Sequence, residues 1–324
     1  MDRHQNELQF LGSLGVYRGT SEIIVKSRKI FVRITLSLIL PLCIILLAHS
    51  LVSQLLFYKI LTDEITPYDT RKRGPEYRDL SRMLEKEWVA FSLVRLSYFV
   101  LVFIFSLLST AAVVYTVASV YAAKQITFKK IMSVVPRVWN RLLVTFFWCF
   151  ALFFVYNAVA VGLLIVWLIT VRQFSVGPAL GIALAAILLI LSVVGLVYIT
   201  MIWQMASVIS VLEDAYGMKA MLKSKGLIKG KMGLSVWCFL GVLVCSVLVQ
   251  ALFESLVVLD LVPNGVRIGV GLVCLLLLSM LVLFDLVLQT VIYFVCKSYH
   301  HENIDGSFLS DHLEGCLGDW PPED

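Results

Sequence analysis

The apolar stretch LLLLSMLVLFDLVLQTVIYFVC carries one carboxylate, Asp285, with Gln289 one helical turn further along the same face. An ionisable group surrounded by hydrocarbon is costly, so it serves a function or finds a partner. Two chemistries follow. In the first, Asp285 binds a proton, a cation or an amine-bearing substrate, and Asn157 and His49, each inside another apolar run, are further polar groups along the route. In the second, Asp285 is protonated or hydrogen-bonded and holds helices together, with Asn157 or Gln204 as its partner. The apolar runs lack the several charged residues that many proton-coupled carriers use, which favours the second. Gln250 and Glu254 share a face near the end of their own run, where a charge needs no special account.

Catalytic groups are sparse. Of five histidines, only His49 lies in an apolar run, and there is no HExxH, G-x-S-x-G or phosphate-cradling glycine loop. The expectation is a protein that is not an enzyme and takes no cofactor. His300, His301, His312 and Cys316 gather near the C-terminus, and the His312–Cys316 spacing suits one helix face. The remaining intervals match no zinc finger, and the acidic surroundings suit a solvated tail, so no metal is expected. Cys43, Cys149, Cys238, Cys245 and Cys274 fall inside apolar runs as small hydrophobes. Cys296 beside Lys297 is a boundary cysteine, with S-palmitoylation as the sharper alternative.

These groups must be held by membrane-spanning helices. Of 324 residues 60% are hydrophobic and 15% charged, too little polar surface to cover a soluble core. About 20 apolar residues cross the hydrocarbon, and six segments qualify: 34–57, 93–119, 142–171, 179–207, 234–258 and 268–296. Gly177-Pro178 and Pro263-Asn264-Gly265 mark turns between spans. The first run is too long for a cleavable signal and follows a charged segment, so it is read as a span. Lysines and arginines number six through Arg33, five in 122–141 and five in 210–233; with Lys297 they reach seventeen on one side. The other side has nine: seven in 58–92, Arg172 and Arg267. The excess places both termini in the cytosol. The division is a cytosolic N-terminal segment, 1–33, a six-span domain, 34–296, and an acidic cytosolic tail, 297–324.

The basic loops also carry a repeat. ASV at 118–120 and at 206–208 ends a span, and WCF at 148–150 and at 237–239 opens the next, with a basic segment between. In TFKKIMSVVPRVWNRL, Phe128, Ile131, Met132, Val135, Val138 and Trp139 form an apolar stripe. Lys129, Lys130, Ser133, Arg137 and Arg141 lie opposite, and Pro136 introduces a kink. Residues 20–34 repeat the pattern, with Lys26, Lys29 and Arg33 opposite Ile23, Ile24, Ile30, Phe31 and Ile34. Residues 215–232 give a poorer copy: Met218, Met221, Ile228 and Met232 form the stripe, Lys225 interrupts it, and Lys219, Lys223 and Lys229 are basic. The fold expected is all-α and polytopic, with six transmembrane helices in three hairpins, each preceded by a cytosolic amphipathic interfacial helix whose basic face meets anionic lipid.

The stretch YGMKAMLKSKGLIKGK at 216–231, preceded by an acidic pair, resembles a signature of polytopic proteins that include the membrane domain of some bacterial glycerophosphodiester phosphodiesterases. More closely, ELQFLGSLGVYRG at 7–19 and HHENIDGSFLSDHLEGCLGDWPP at 300–322 resemble the two ends of a plant family of uncharacterised multi-pass membrane proteins, over essentially the whole chain. The resemblance implies a six-span fold and carries no reaction with it. The phosphodiesterase chemistry belongs to a separate soluble domain.

The function expected is that of a non-enzymatic protein of the endomembrane system (the endoplasmic reticulum) or the plasma membrane. Its partners would be anionic lipids of the cytosolic leaflet and protein partners or further copies of itself, with no nucleic acid. A carrier for a lipid or small metabolite is the alternative, and an accessory membrane subunit of an enzyme is a third reading.

Overall fold

A computed structural model describes residues 12–65, 75–122, 127–173, 177–258 and 263–300, and every regular element among them is a helix. The chain opens with α1 (Ser13–Lys26) and α2 (Arg28–Ile34), then a π-helical turn (Thr35–Ile39) and α3 (Leu40–Ile65). There follow α4 (Pro75–Tyr121), α5 (Phe128–Gln173), α6 (Pro178–Leu212) and the short α7 (Met218–Ile228). The last elements are α8 (Met232–Phe253), a π-helical turn (Glu254–Val258) and α9 (Asn264–Tyr299). Helices dominate because a backbone in hydrocarbon must satisfy its own N–H and C=O groups.

Among the described residues six segments are long and apolar enough to cross a membrane: Arg28–Gln54, Phe91–Tyr121, Phe128–Gln173, Ala179–Leu212, Met232–Val258 and Gly265–Tyr299. The chain is an integral membrane protein. Their helical bounds overrun the apolar runs, because a helix needs no apolar residue to continue. α3 reaches Ile65 and α4 begins at Pro75, so much of the 58–92 stretch, read as a connecting loop, is helical. Gly177-Pro178 acts as expected: proline sits in the first turn of α6, where its missing N–H has no intrahelical role.

The three basic segments differ from their expected form. Residues 128–141 are no separate interfacial helix but the beginning of α5, which continues through Pro136 to Gln173. Its stripe is real, but Ile131, Val134, Val135, Val138 and Leu142 are buried inside the protein, while Lys129, Lys130, Ser133 and Arg137 are exposed. Protein, not lipid, covers the apolar face: α5 packs on α6 and α7, and α6 on α7. Residues 20–34 are divided at Ser27 between α1 and α2. The poorest stripe is the one that forms a helix of its own, α7, and it buries Ala220, Met221, Ser224, Leu227 and Ile228. Met218 and Met232, assigned to that stripe from the sequence, are exposed.

The helices form two compact units. The first comprises Met1–Ile30, Thr110–Gly241 and Phe284–Asp324, and its interior holds Ile131, Leu142, Met205, Ile209, Ile228, Tyr293 and Phe294. The second comprises Phe31–Ser109 and Val242–Leu283, with Phe31, Ile34, Ile39, Leu107 and Leu278 inside.

Candidate functional site

In the first unit, a polar face runs along α9. Asp285, Gln289, Tyr293 and Lys297 succeed one another at four-residue intervals, so they stand one above the next on a single face. Gln289 and Tyr293 are buried, whereas Asp285 and Lys297 are half-buried. α6 supplies the partners. Gln204 Nε2 donates to Asp285 Oδ2 at 3.3 Å. At the other end of the ladder Glu213, the residue that ends α6, takes three donors. Tyr293 Oη donates to Glu213 Oε1 at 2.6 Å, Lys297 Nζ donates to the same oxygen at 3.0 Å, and Lys223 Nζ from α7 pairs with Oε2 at 2.7 Å. One carboxylate thereby ties the end of α6 to the middle of α7 and to the last turns of α9.

Burial alone would raise the Glu213 carboxyl. Hydrogen bonds from Lys223, Tyr293 and Lys297, with the Lys297 charge, outweigh it and hold the group below its ordinary range. The side chains of Glu213 and Lys297 are 12% and 14% exposed, so this pair is shielded from solvent. The neighbouring pair differs: Arg141 and Asp214 also meet, but their side chains are 42% and 71% exposed and the contact adds little.

The loop after Glu213 is fixed by a chain of hydroxyls. Gly217 N–H donates to Thr145 Oγ1 at 2.8 Å; Thr145 lies 2.7 Å from Ser210 Oγ, and Ser210 donates to the carbonyl of Ala206. Thr145 Oγ1 also lies 3.1 Å from the carbonyl of Arg141, so each hydroxyl has a carbonyl of its own helix within reach and either can donate to the other. Gly217 has φ +62 and ψ −133, a conformation that side chains disfavour. An added Cβ would also lie 3.2 Å from Trp148 and 3.3 Å from Val144. A second tie holds α1 down: Tyr17 Oη donates to the carbonyl of Cys238 at 2.8 Å, in space left by Gly241, and its ring stacks on Phe284. α7 is tied to α6 by Ser224 Oγ, which donates to the carbonyl of Ile202.

The residues singled out in the sequence fall in separate places. Asp285 and Gln289 share the α9 face. Asn157 Nδ2 donates to the carbonyl of Phe153 on its own helix. His49 lies in the second unit, stacked on Tyr98 with ring centroids 3.7 Å apart and 3.2 Å from Ser53 Oγ. Of the basic residues, Lys26, Lys29, Arg33, Lys129, Lys130, Arg137, Lys219 and Lys229 are exposed, whereas Arg141 and Lys223 meet Asp214 and Glu213. Cys296 is fully buried, so its thiol is unsuited to acylation in this structure. His300 faces the carbonyls of Leu227 and Lys229 at 3.1 and 2.9 Å. His301, His312 and Cys316 lie outside the described residues. Among those described, no group of three or more His, Cys, Asp or Glu is placed to hold a metal.

Glu213, Tyr293 and Lys297 were not singled out in the sequence. The signal was present: the four-residue interval from Asp285 to Gln289, continued two further steps, reaches Tyr293 and Lys297. Nothing comparable announces Glu213, whose partners lie 10, 80 and 84 residues away.

No curated protein and no solved structure matches the chain. A family model, described as a domain of unknown function (DUF8558), matches residues 1–323, and the chain belongs to that family.

Proposed function

We propose that this protein is a non-enzymatic multi-pass membrane protein that gathers anionic lipid at the basic ends of its helices and so organises the bilayer or partner proteins around it. The observation that carries the reading is the division of labour on α5 and α7. Their apolar stripes are buried in protein, and their lysines are left outward: Lys129 and Lys130 on α5, Lys219 and Lys225 on α7. Close by along α5, Phe147 and Trp148 are exposed, as aromatic residues are where a helix passes from headgroups into hydrocarbon. Basic side chains at that level attract anionic headgroups, each by about 1 kcal/mol.

In this reading the lysine-rich side faces the cytosol, the six spans pair as three hairpins, and the membrane is the endoplasmic reticulum, another endomembrane or the plasma membrane. The contact with lipid is made by basic side chains, not by an apolar face sunk between headgroups. The resemblance to a plant family and to the membrane domain of bacterial phosphodiesterases belongs to the same proposal. The carrier alternative is favoured by one observation, the polar face of α9.

The test is lipid retention. Wild-type protein purified in mild detergent is expected to carry anionic over zwitterionic lipid in excess of its source membrane. Charge reversal at Lys129, Lys130 and Arg137 is expected to abolish that excess without changing the elution profile. Equal enrichment in the triple variant would refute the proposal.

A further inference from the structure

The lipid reading leaves the deeper end of the α9 face without a role. Asp285 meets one side chain among the described residues, Gln204, through a single N–H at 3.3 Å. No cationic side chain among them forms an ion pair with it. The other end of the Gln204 amide, Oε1, is buried with no hydrogen-bond donor. The carboxyl of Asp285 and the amide that reaches it therefore offer three oxygens, two from Asp285 and one from Gln204. Together they receive one N–H. A buried acceptor without a donor is costly, and a carboxylate in hydrocarbon more so.

Such an imbalance is removed by a ligand that donates. We propose that Asp285 and Gln204 form a binding site for a single positive charge, supplied by a proton or a small monovalent cation. A proton taken from water onto Asp285 makes a carboxylic acid whose O–H donates to Gln204 Oε1, while Gln204 Nε2 continues to donate to Asp285. The acid and the amide then form a closed pair. A monovalent cation is instead held by the same three oxygens and keeps part of its water shell. In both cases the charge on Asp285 is cancelled and the orphaned oxygen is answered. The site stands apart from the exposed lysines and does not depend on the lipid reading.

The ladder gives the site its direction. Gln289 and Tyr293 continue the polar face from Asp285 toward Lys297, and eight residues of helix separate Asp285 from Tyr293, about 12 Å. The same unit carries Tyr17 on α1, Glu213 and Asp214 beyond α6, Lys223 on α7, and Tyr293 and Lys297 on α9 as titratable or charged groups. Tyr17 donates to the Cys238 carbonyl and Asp214 meets Arg141; the remaining four are bound to one another. None of them meets Asp285.

The experiment uses the full chain in nanodiscs of neutral lipid. Equilibrium binding of radioactive sodium, with potassium as competitor, measures the cation. Infrared difference spectra across a pH titration, wild type minus Asp285→Asn, measure the proton as the carboxylic-acid carbonyl band. Saturable uptake of one sodium per chain, lost in Asp285→Asn and weakened at least tenfold in Gln204→Ala, supports the cation. A carboxylic-acid band that titrates in wild type, is absent from Asp285→Asn and shifts in Gln204→Ala supports the proton. Should Asp285→Asn fail to fold, the Gln204→Ala comparison decides alone. The proposal is overturned if sodium uptake is absent, or the same in wild type and both variants, and no titrating Asp285 carboxylic-acid band is detected.

Discussion

Removing the Glu213 carboxylate should loosen the contacts of three helices at once. In Glu213→Ala, Tyr293 Oη and Lys297 Nζ lose their shared acceptor, and Lys223 loses its ion-pair partner. Breaking a buried pair by deleting one member costs about 3–5 kcal/mol. The Lys297 pair is shielded though not sealed, so the lower end applies, and Lys223, 36% exposed, adds at most about 0.5 kcal/mol. The expected loss is about 3 kcal/mol, with about half that for Glu213→Gln, which keeps one carbonyl acceptor. Thermal unfolding of the detergent-solubilised protein, followed by fluorescence-detected gel filtration, would measure it. A cycle with Lys297→Met should be non-additive by more than about 1 kcal/mol. Because the folded-state carboxyl titrates below its ordinary range, its contribution is present at neutral pH and is lost as the pH falls through that lowered value. Glu213→Gln should therefore flatten the acid limb of the stability profile. Wild-type stability in Glu213→Ala, or additivity in the cycle, would refute the reasoning.

Three further substitutions follow from the same unit. Gly217→Ala forces a side chain into a strained backbone conformation and against Trp148 and Val144, and should cost about 2 kcal/mol in the same melting assay. Thr145→Val keeps the shape but leaves the Gly217 N–H without its acceptor; a loss of about 1–3 kcal/mol is expected, and a neutral result would exclude the hydroxyl chain as a support of the loop. Tyr17→Phe removes the hydrogen bond from α1 to Cys238, about 1 kcal/mol, and should speed proteolysis at Lys26 and Arg28 under native conditions while leaving overall melting nearly unchanged.

The six spans were legible because each is a long apolar run, and composition settles such a segment without reference to its neighbours. The stripe of α5 was legible too, since Ile131, Val135 and Val138 recur at helical spacing. What covers that stripe was not. An apolar face reads the same whether lipid or another helix lies over it, and the burial of the stripe among packed helices is a tertiary fact. α7 failed differently: its buried face includes Ala220 and Ser224, residues too small or too polar to register as a stripe. Asp285 could be found because a carboxylate is conspicuous among leucines, and Gln204 was one of two partners considered for it. Glu213 lies in a charged loop where an acid attracts no notice, and its role depends on Tyr293 and Lys297 arriving from far along the chain.

α5 has a mechanical consequence. Its 46 residues make a rod of about 69 Å, against roughly 30 Å of hydrocarbon. More than half of the rod therefore extends past the oily layer, and a tug at one tip is felt at the other. Pro136 cannot donate to the carbonyl one turn before it, so the rod is weakest in the basic portion, two turns past Lys129. A pull by headgroups on Lys129 and Lys130 would flex that joint first, leaving the stiffer length beyond to act as a lever.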